Sequence, residues 1–388
     1  MMENTFIKYE KALEILEKHA FKIKTERKSI LSCDKRILNE NLKADRDFPP
    51  YNRVTMDGIA INYSSYESGN RNFIIESTSA AGTPEASLKN SSCCIEVMTG
   101  SMLPKNTDTI IRYEDLEISE NIAKINDVIL KKWQNIHFKG SDIKQNETII
   151  KNGKEISSAE INVAAAIGKD NLDVIKLPSA IVISTGDELV KINESPKPFQ
   201  IRRSNVYGIQ NALKNWGLDV ELGHLPDNKI QMKDAIEGYF SKFDLFIFTG
   251  GVSKGKFDFL PNVLEELGVE KHFYKIQQRP GKPFWFGSKG EKKIFALPGN
   301  PVSSFVCLNM YVKFWIYKSL KITKRDIYVE LINDVIFNPD LVYFPEAKIN
   351  FESNGKITAE VILGNGSGDF VNLVKTDGFL ILPQNKNE

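Results

Sequence analysis

Glycine-rich turns follow three apolar segments in the second half of the chain. The turns are 185–189 (Thr-Gly-Asp-Glu-Leu), 250–253 (Gly-Gly-Val-Ser) and 298–303 (Pro-Gly-Asn-Pro-Val-Ser). If the segments are parallel strands of one open sheet, their carboxyl ends meet at the crevice where such sheets bind ligands. Glycine lets backbone N–H groups approach a phosphate closely, although a single turn of this kind is most often only a chain reversal. The three together predict a phosphate-binding crevice.

A basic loop that contains two prolines lies between the second and third turns. It carries Lys275, Arg279 and Lys282, and Pro280 and Pro283 restrict the backbone around these cations. The restriction lowers the entropy that is lost when the cations bind an anion, so the loop predicts a polyanionic ligand. For three cations further along we favour a solvated hairpin instead: Lys289, Lys292 and Lys293.

Carboxylates are predicted at the same edge of the sheet. Glu188 lies in the first turn, Asp227 follows Pro226, and Asp258 follows the second turn. Mg²⁺ characteristically joins one or two carboxylates to substrate phosphates, so the combination favours a metal-assisted phosphoanhydride site. Each residue also has an ordinary interpretation, because Asp258 and Asp227 stand where they could cap the helices predicted at 260–267 and from about 229.

The elements that position these residues alternate between strand and helix. Apolar runs at 180–184 and 245–249 read as strands, with amphipathic helices at 206–216 and 230–240. The alternation predicts parallel strands with crossover helices, and the nearly continuous apolar run 245–249 predicts a central strand covered on both faces.

The flanking regions have a different texture. A helix is predicted from Tyr9 to Ala20, and within 48–136 short β-prone runs lie at 59–61, 72–76, 94–98, 108–113 and 122–125. Ser157 with Glu160 predicts a capped helix that runs to Gly168. From 327 onward helices cease and short strands return, at 328–331, 348–351, 357–362, 371–374 and 379–382.

Composition excludes several classes of protein. The 388 residues carry 51 basic and 50 acidic side chains, and this balance provides no field that would draw the chain onto nucleic acid or anionic lipid. Four cysteines form no C-x-x-C pair, and the four histidines show no metal spacing, so we expect the histidines to be structural or surface residues. No segment reads as a secretory signal or a membrane span. We expect a cytoplasmic protein that binds neither nucleic acid nor membrane.

Eight motifs, in order along the chain, resemble those of the MoeA family, the molybdopterin molybdenumtransferases that complete molybdenum cofactor synthesis; the E domain of gephyrin is similar. The resemblance covers almost the full length. The motifs are Thr-Met-Asp-Gly-Ile-Ala at 55–60, Met-Thr-Gly at 98–100, Gly-Ser-Asp-Ile at 140–143, 184–189, Ser204-Asn205, 249–253, 279–283 and 297–303.

The resemblance implies a multidomain α/β plus β fold. Residues 1–45 and 142–177 would form a discontinuous elongated domain, and 46–141 an inserted β domain. Residues 178–325 would form the molybdopterin-binding, three-layer α/β domain, and 326–388 a β-barrel-like domain. Similar proteins are homodimers whose site lies between the α/β domain of one subunit and the β domain of the other. This would give Asp57 and Thr99 a role, although their own sequence context indicates only turn residues.

The implied reaction inserts molybdenum from molybdate into adenylylated molybdopterin and releases AMP, with Mg²⁺ as cofactor. An upstream molybdopterin adenylyltransferase would supply the substrate. Glu188 and Asp258 would hold the metal. Asp57, Asp142 and Asp227 would orient the pterin or assist the cleavage electrostatically, and Thr99 is a further expected catalytic residue. The expected substrate-binding residues are Ser204, Asn205, Gly250, Gly251, Ser253, Lys275, Arg279, Lys282, Pro283, Asn300 and Ser303.

The sequence departs from the family pattern at three places. Arg279 stands where many relatives have Lys, Thr55 replaces a common Ser, and Cys33-Asp34-Lys35-Arg36 replaces a Leu-Gly turn. Arg279 could shift the preference toward another oxyanion such as tungstate. An alternative function is a catalytically lapsed molybdopterin-binding scaffold, which predicts decay of the acidic positions; all five are present. A second alternative, an upstream adenylyltransferase, does not account for the flanking β regions.

Overall fold

The computed structural model describes residues 6–252, 258–323 and 325–384. The chain divides into two compact units. The larger unit comprises Met1–Arg27, Asp34–Ile37 and Asp173–Glu388, and the smaller unit comprises Lys28–Cys33 and Leu38–Leu172. This division does not test the four-domain subdivision, which stays a prediction.

The larger unit is built on a mixed six-stranded sheet. Its first four strands are parallel, and the last two pair antiparallel with their neighbours. In spatial order the strands are Val220–Leu225, Ala180–Thr185, Leu245–Thr249, Lys292–Leu297, Trp285–Lys289 and Glu270–Tyr274. Every residue of Leu245–Thr249 is buried and the strand has a parallel neighbour on each side, so the predicted central strand is confirmed.

Helices cover both faces of this sheet because successive strand residues point to opposite sides. Val182, Ile247 and Phe295 pack on one side with Leu213 and Trp315. On the other side, strand residues such as Phe246 pack against the helices that contain Ile236 and Leu264. The helical segments of this unit are Tyr9–Lys18, Asn205–Asn215, Lys229–Phe240, Leu260–Glu266, Pro301–Cys307, a π-helical turn Leu308–Val312, and Lys313–Ser319. Within the described residues, none of the helices has the length and apolar character that crossing a membrane requires.

Short strands return at the end of the larger unit. Four of them form a sheet in the order Glu330–Leu331, Ile357–Val361, Glu346–Phe351 and Gly378–Phe379. The strand predicted at 371–374 is wrong, because Asn372–Lys375 is a 3₁₀ helix whose first N–H donates to the Asp369 carboxylate. The aspartate offers the backbone a local partner that competes with a strand. Four further two-residue strands of this unit form two pairs: Val342–Tyr343 pairs with Gln278–Arg279, and Leu189–Val190 pairs with Ile201–Arg202.

The smaller unit contains a second six-stranded sheet. Its strands lie in the order Thr109–Arg112, Gly58–Ile61, Cys93–Val97, Asn72–Ser79, Ile122–Ile125 and Leu116–Ser119. Five of them fall on the predicted β-prone runs, whereas 116–119 was not predicted. Gly58 is required here, because a Cβ at this residue would lie 1.9 Å from the carbonyl oxygen of Ile111 on the adjacent strand.

The remaining elements are short. Arg53–Val54 pairs antiparallel with Ile136–His137, and Leu42–Lys43 with Thr148–Ile150. Thr25–Ser29 and Asn171–Ile175 are strands at the points where the chain passes between units, and Tyr63–Glu67 is a one-turn helix.

The predicted capping box is present at helix Ser158–Ala166. Ser157 Oγ accepts the N–H of Ala159 at 3.3 Å, and the Ser157 N–H donates to Glu160 at 2.9 Å. Hydrogen bonds from the Ser157 side chain and backbone lower the pKa of Glu160 from 4.5 to about 2. A carboxylate whose pKa is depressed on folding stabilises the fold above its ordinary pKa and loses that contribution as pH falls toward the folded value.

We therefore expect Ser157→Ala to lower the free energy of unfolding by about 1 kcal/mol at neutral pH. The deficit should shrink between about pH 4.5 and pH 2, because wild-type Glu160 itself becomes protonated there. Chemical denaturation at several pH values measures both effects. Ser158→Ala is the matched control, since Ser158 is exposed and is the first helical residue; an equal loss in this control would contradict the cap assignment.

Candidate functional site

A cavity of about 860 Å³ lies at the carboxyl ends of the parallel strands in the larger unit. The predicted turns converge on it: Thr185, Gly186 and Glu188 come from the first turn, and Gly250 and Gly251 from the second. The third turn contributes Pro298, Gly299, Asn300, Val302 and Ser303. Parallel register explains this convergence, because Ser184 lies beside Thr249 and Thr249 beside Leu297.

The second turn is shaped by its glycines. Gly250 and Gly251 have φ of +95° and +67°, and a Cβ on Gly251 would lie 2.7 Å from Thr185 Oγ1. Asn205 then ties the second and third turns together, because its Nδ2 donates to Thr249 Oγ1 at 3.0 Å and to the Gly299 carbonyl at 2.8 Å. Asn205 and Ser204 do not line this cavity but a smaller one of about 160 Å³. Asn205 thus supports the turns, and its contact with the substrate stays a prediction.

The basic loop supplies one wall of the cavity. Arg279, Lys282 and Pro283 line it together with Pro280 and Gly281. A buried glutamine holds the loop in shape: Gln278 Nε2 donates to the carbonyls of Pro280 and Gly281, both at 3.0 Å.

The other predicted cations are not part of this wall. Lys275 does not line the cavity, and its Nζ lies 5.1 Å from the Tyr274 ring and 5.6 Å from the Phe6 ring. The hairpin predicted for three further cations is present, because strands Trp285–Lys289 and Lys292–Leu297 pair antiparallel. Each cation donates to a backbone carbonyl: Lys289 to Leu267, Lys292 to Phe243 and Lys293 to Gly290. The prediction that all three are solvated is wrong for Lys293, which is buried.

Acidic side chains line the same cavity as the basic loop. Glu188, Asp227 and Asp258 all contribute. The helix-capping alternative does not hold, because Asn228 caps helix Lys229–Phe240, and the N-cap of Leu260–Glu266 is Phe259.

The local excess of negative charge is visible at Asp227. Burial raises the pKa of Asp227, and the charge of Asp187 raises it further, followed by those of Glu188 and Asp258. A hydrogen bond from the backbone of Asp187 to the Asp227 carboxylate partly offsets the effect. In the other direction, the N–H of Asp227 donates to Asp187 Oδ1 at 3.1 Å. Among the residues that the structure describes, no three carboxylate, histidine or cysteine side chains form a metal-binding group by themselves.

Sequence reasoning missed the part of the cavity that comes from the end of the chain. Ser367 is bound to the third turn: Asn300 Nδ2 donates to its Oγ at 2.8 Å, and the Val302 N–H to its carbonyl at 3.1 Å. Glu346 also lines the cavity, and burial, with the nearby Asp369 charge, raises its pKa. The remaining lining residues of this part are Tyr343, Phe344, Pro345, Ile362, Leu363, Gly364 and Gly366. The Gly-Asn-Gly-Ser-Gly run at 364–368 was a signal that could have found them.

Three predicted site residues lie in the smaller unit. The Thr99 N–H donates to Asp57 Oδ1 at 2.6 Å, and this bond lowers the pKa of Asp57. Asp142 Oδ1 is 2.7 Å from His137 Nε2. The structure thus brings Asp57 and Thr99 together. Ser253 lies outside the described residues.

The other histidines have structural partners. The rings of His19 and His272 stack with centroids 3.7 Å apart, and burial lowers the pKa of His272 to about 4. His224 Nδ1 is 2.9 Å from the hydroxyl of Ser184.

Comparison with known proteins identifies the family. A model described as MoeA N-terminal region (domain I and II) matches residues 7–168, and one described as probable molybdopterin binding domain matches residues 181–318. A molybdopterin molybdenumtransferase from Synechocystis sp. is 40% identical over 90% of this chain and 89% of its own length. Another of that name, from Haemophilus influenzae, is 29% identical over 96% of this chain and 93% of its own.

The fold agrees with this. A solved MoeA protein from Pyrococcus horikoshii, described as a molybdopterin biosynthesis protein, superposes with a TM-score of 0.79 at 26% identity, over 98% of this chain and 95% of that one. On sequence and fold together, the chain belongs to the MoeA family.

Proposed function

We propose that this protein is a molybdopterin molybdenumtransferase, which inserts molybdenum from molybdate into adenylylated molybdopterin and releases AMP. One observation carries the proposal: Lys282 and Glu188 line the same cavity. A cation that can hold an oxyanion and a carboxylate that can hold a metal therefore face one ligand space. The Synechocystis relative, 40% identical, bears the name of this activity.

Molybdate binds at the wall of the cavity that the basic loop forms. It is a tetrahedral dianion, and charge-assisted hydrogen bonds from cations are the strongest that a protein offers such a group. Arg279 and Lys282 supply the charge, and Ser303 adds a hydroxyl in the first turn of helix Pro301–Cys307. The fork of Arg279 presents more donors than a lysine would.

Mg²⁺ fits the acidic wall. Glu188 and Asp258 provide hard oxygen donors. Burial raises the pKa of Asp227 most, and the charges of Asp187, Glu188 and Asp258 add to this; a bound cation would relieve that repulsion. Mg²⁺ is usually bound by one or two carboxylates together with substrate phosphates, so the carboxylates of Glu188 and Asp258 suit it. When bound, Mg²⁺ would neutralise charge on the pyrophosphate bridge.

The glycine-rich turns hold the rest of the substrate. Gly250 and Gly251 leave room for a phosphate or pterin beside the backbone, and Asn300 borders the same space. Asp227 orients the substrate electrostatically. An upstream molybdopterin adenylyltransferase supplies the adenylylated molybdopterin. Cys93, Cys94 and Cys307 are buried thiols outside any disulfide, which supports a reducing, cytoplasmic location.

The assembly that we propose is a homodimer in which Asp57, Thr99 and Asp142 of one subunit complete the cavity of the other. The tight bond between Thr99 and Asp57 supports a built arrangement of these two residues. The four-domain subdivision stated above belongs to the same proposal. The alternative, a scaffold that binds molybdopterin without chemistry, is less supported, because Glu188, Asp227 and Asp258 are retained and share the cavity.

We expect Glu188→Gln to reduce AMP release from adenylylated molybdopterin at least about 100-fold, because the neutral amide no longer holds the cation on the phosphate bridge. Single-turnover AMP release with molybdate and Mg²⁺ measures the effect. Glu237→Gln, which neutralises an exposed carboxylate on helix Lys229–Phe240, is the control and should be unchanged. Equal loss in both variants, or none in either, would remove the metal assignment. If the wild-type protein binds adenylylated molybdopterin but releases no AMP, the scaffold alternative would be favoured.

Lys282→Ala should raise the KM for molybdate about tenfold or more while kcat changes less, since it removes a charge that grips the oxyanion before reaction. Steady-state AMP release over a molybdate series gives both constants, and a tungstate series tests oxyanion preference. Lys271→Ala neutralises an exposed cation on strand Glu270–Tyr274 and should match the wild type. An unchanged KM in Lys282→Ala would contradict the anion site.

Mixing two inactive variants tests the shared site. A heterodimer of Asp57→Ala and Glu188→Ala subunits would contain one intact site, so random mixing should restore about a quarter of wild-type AMP release. Each variant alone should stay inactive. If both site halves came from one subunit, mixing would restore nothing, and the shared-site proposal would be wrong.

A further inference from the structure

Hydrogen bonds join three side chains of the smaller unit in a row. Arg53 and His137 are directly opposite each other in the antiparallel pair formed by Arg53–Val54 and Ile136–His137. Arg53 Nη2 lies 2.9 Å from His137 Nδ1, and His137 Nε2 lies 2.7 Å from Asp142 Oδ1. His137 thus has one partner on each ring nitrogen.

The chemistry of the two partners determines where the proton of a neutral imidazole lies. A guanidinium only donates hydrogen bonds, so His137 Nδ1 must accept from Arg53 through its lone pair. The ring proton is then on Nε2, where it donates to the carboxylate of Asp142. The opposite tautomer would place two donors against each other at Arg53 and two acceptors at Asp142.

The backbone around Asp142 is held independently of this bond. The Asp142 N–H donates to the Phe48 carbonyl at 3.0 Å, and the Gly140 N–H to the Pro49 carbonyl at 2.9 Å. The side chain of Asp142 is 55% exposed, and its Oδ1 carries the bond to His137 and a longer one, 3.5 Å, from Ser141 Oγ. A solvent-exposed carboxylate on a fixed backbone still has rotational freedom, and His137 limits it.

We propose that His137 is a positioning residue: Arg53 selects its Nε2–H tautomer, and the resulting bond turns Asp142 so that Oδ2 faces a hydrogen-bond donor on the bound substrate. The role in the reaction rests on the proposed function, in which Asp142 orients the pterin. The assignment of the tautomer does not rest on the proposed function. Removing a group that orients a metal-ligating side chain typically costs about 10- to 100-fold in affinity or activity, and we take the lower end of that range as the expectation for Asp142.

Imidazole ¹⁵N NMR tests the tautomer without any assay of activity. In the wild-type protein the His137 signals should show a protonated Nε2 and an unprotonated Nδ1. Arg53→Met removes the donor to Nδ1 while Asp142 still accepts from Nε2, so the Nδ1 signal should shift toward that of an imidazole nitrogen without a charged donor. A proton on Nδ1 in the wild type, or no response to Arg53→Met, would overturn the proposal.

Two substitutions of His137 test the positioning role. The amide of His137→Gln can accept from Arg53 and donate to Asp142, whereas His137→Phe can do neither. We expect kcat/KM for adenylylated molybdopterin to fall about tenfold or more in His137→Phe and to stay within about threefold of wild type in His137→Gln. Arg53→Met, with an intact imidazole, should lie between them. Equal activity in His137→Phe and His137→Gln would overturn the role.

The two kinds of failure are distinguishable. If the wild-type protein releases no AMP, the proposed function is wrong and so is the role of His137 in it, while the NMR result still decides the tautomer. If AMP release is normal and the tautomer is as expected, but His137→Phe retains full activity, only the positioning role is contradicted.

Discussion

The candidate site depends on parallel strand pairing in the larger unit. Ala180–Thr185, Leu245–Thr249 and Lys292–Leu297 run side by side in register, so the chain leaves all three at one edge. Because each strand ends in a glycine-rich turn, the backbone there encloses a space that side chains do not fill. Asn205 joins the second and third turns by two hydrogen bonds and keeps this edge open as one cavity.

Basic and acidic side chains line the same cavity, so it can bind both an anion and a cation. Arg279 and Lys282 lie on one wall, and Glu188, Asp227 and Asp258 also line the cavity. Burial is the main cause of the raised pKa of Asp227, and the neighbouring charges of Asp187, Glu188 and Asp258 repel its negative form further. A divalent cation with a phosphate ester relieves that repulsion, and an oxyanion satisfies the basic wall, so one ligand space suits both reactants of the proposed transfer.

Much of the fold and part of the site were predictable from local pattern. The central strand 245–249, the capping box at Ser157 and the turns around the cavity follow from periodicity and from the special conformations of glycine. The one strand that was predicted wrongly has a physical cause: 371–374 is a 3₁₀ helix because Asp369 binds its first N–H. Lys275 and Ser204 do not line the cavity, and their binding roles stay predictions. Ser367 and Glu346 were missed because their contacts with the third turn and the cavity span large separations in sequence.

The sequence by itself determined the types of group available: three glycine-rich turns, a proline-stiffened basic loop, the carboxylates, and the ordered motifs that resemble the MoeA family. These are local properties, read from spacing and residue chemistry. Only the tertiary structure decided which of these groups face one another. It gave Asn205 a supporting role, brought the end of the chain to the cavity through Ser367, and placed His137 between Arg53 and Asp142, because such contacts depend on distances between residues that are far apart along the chain.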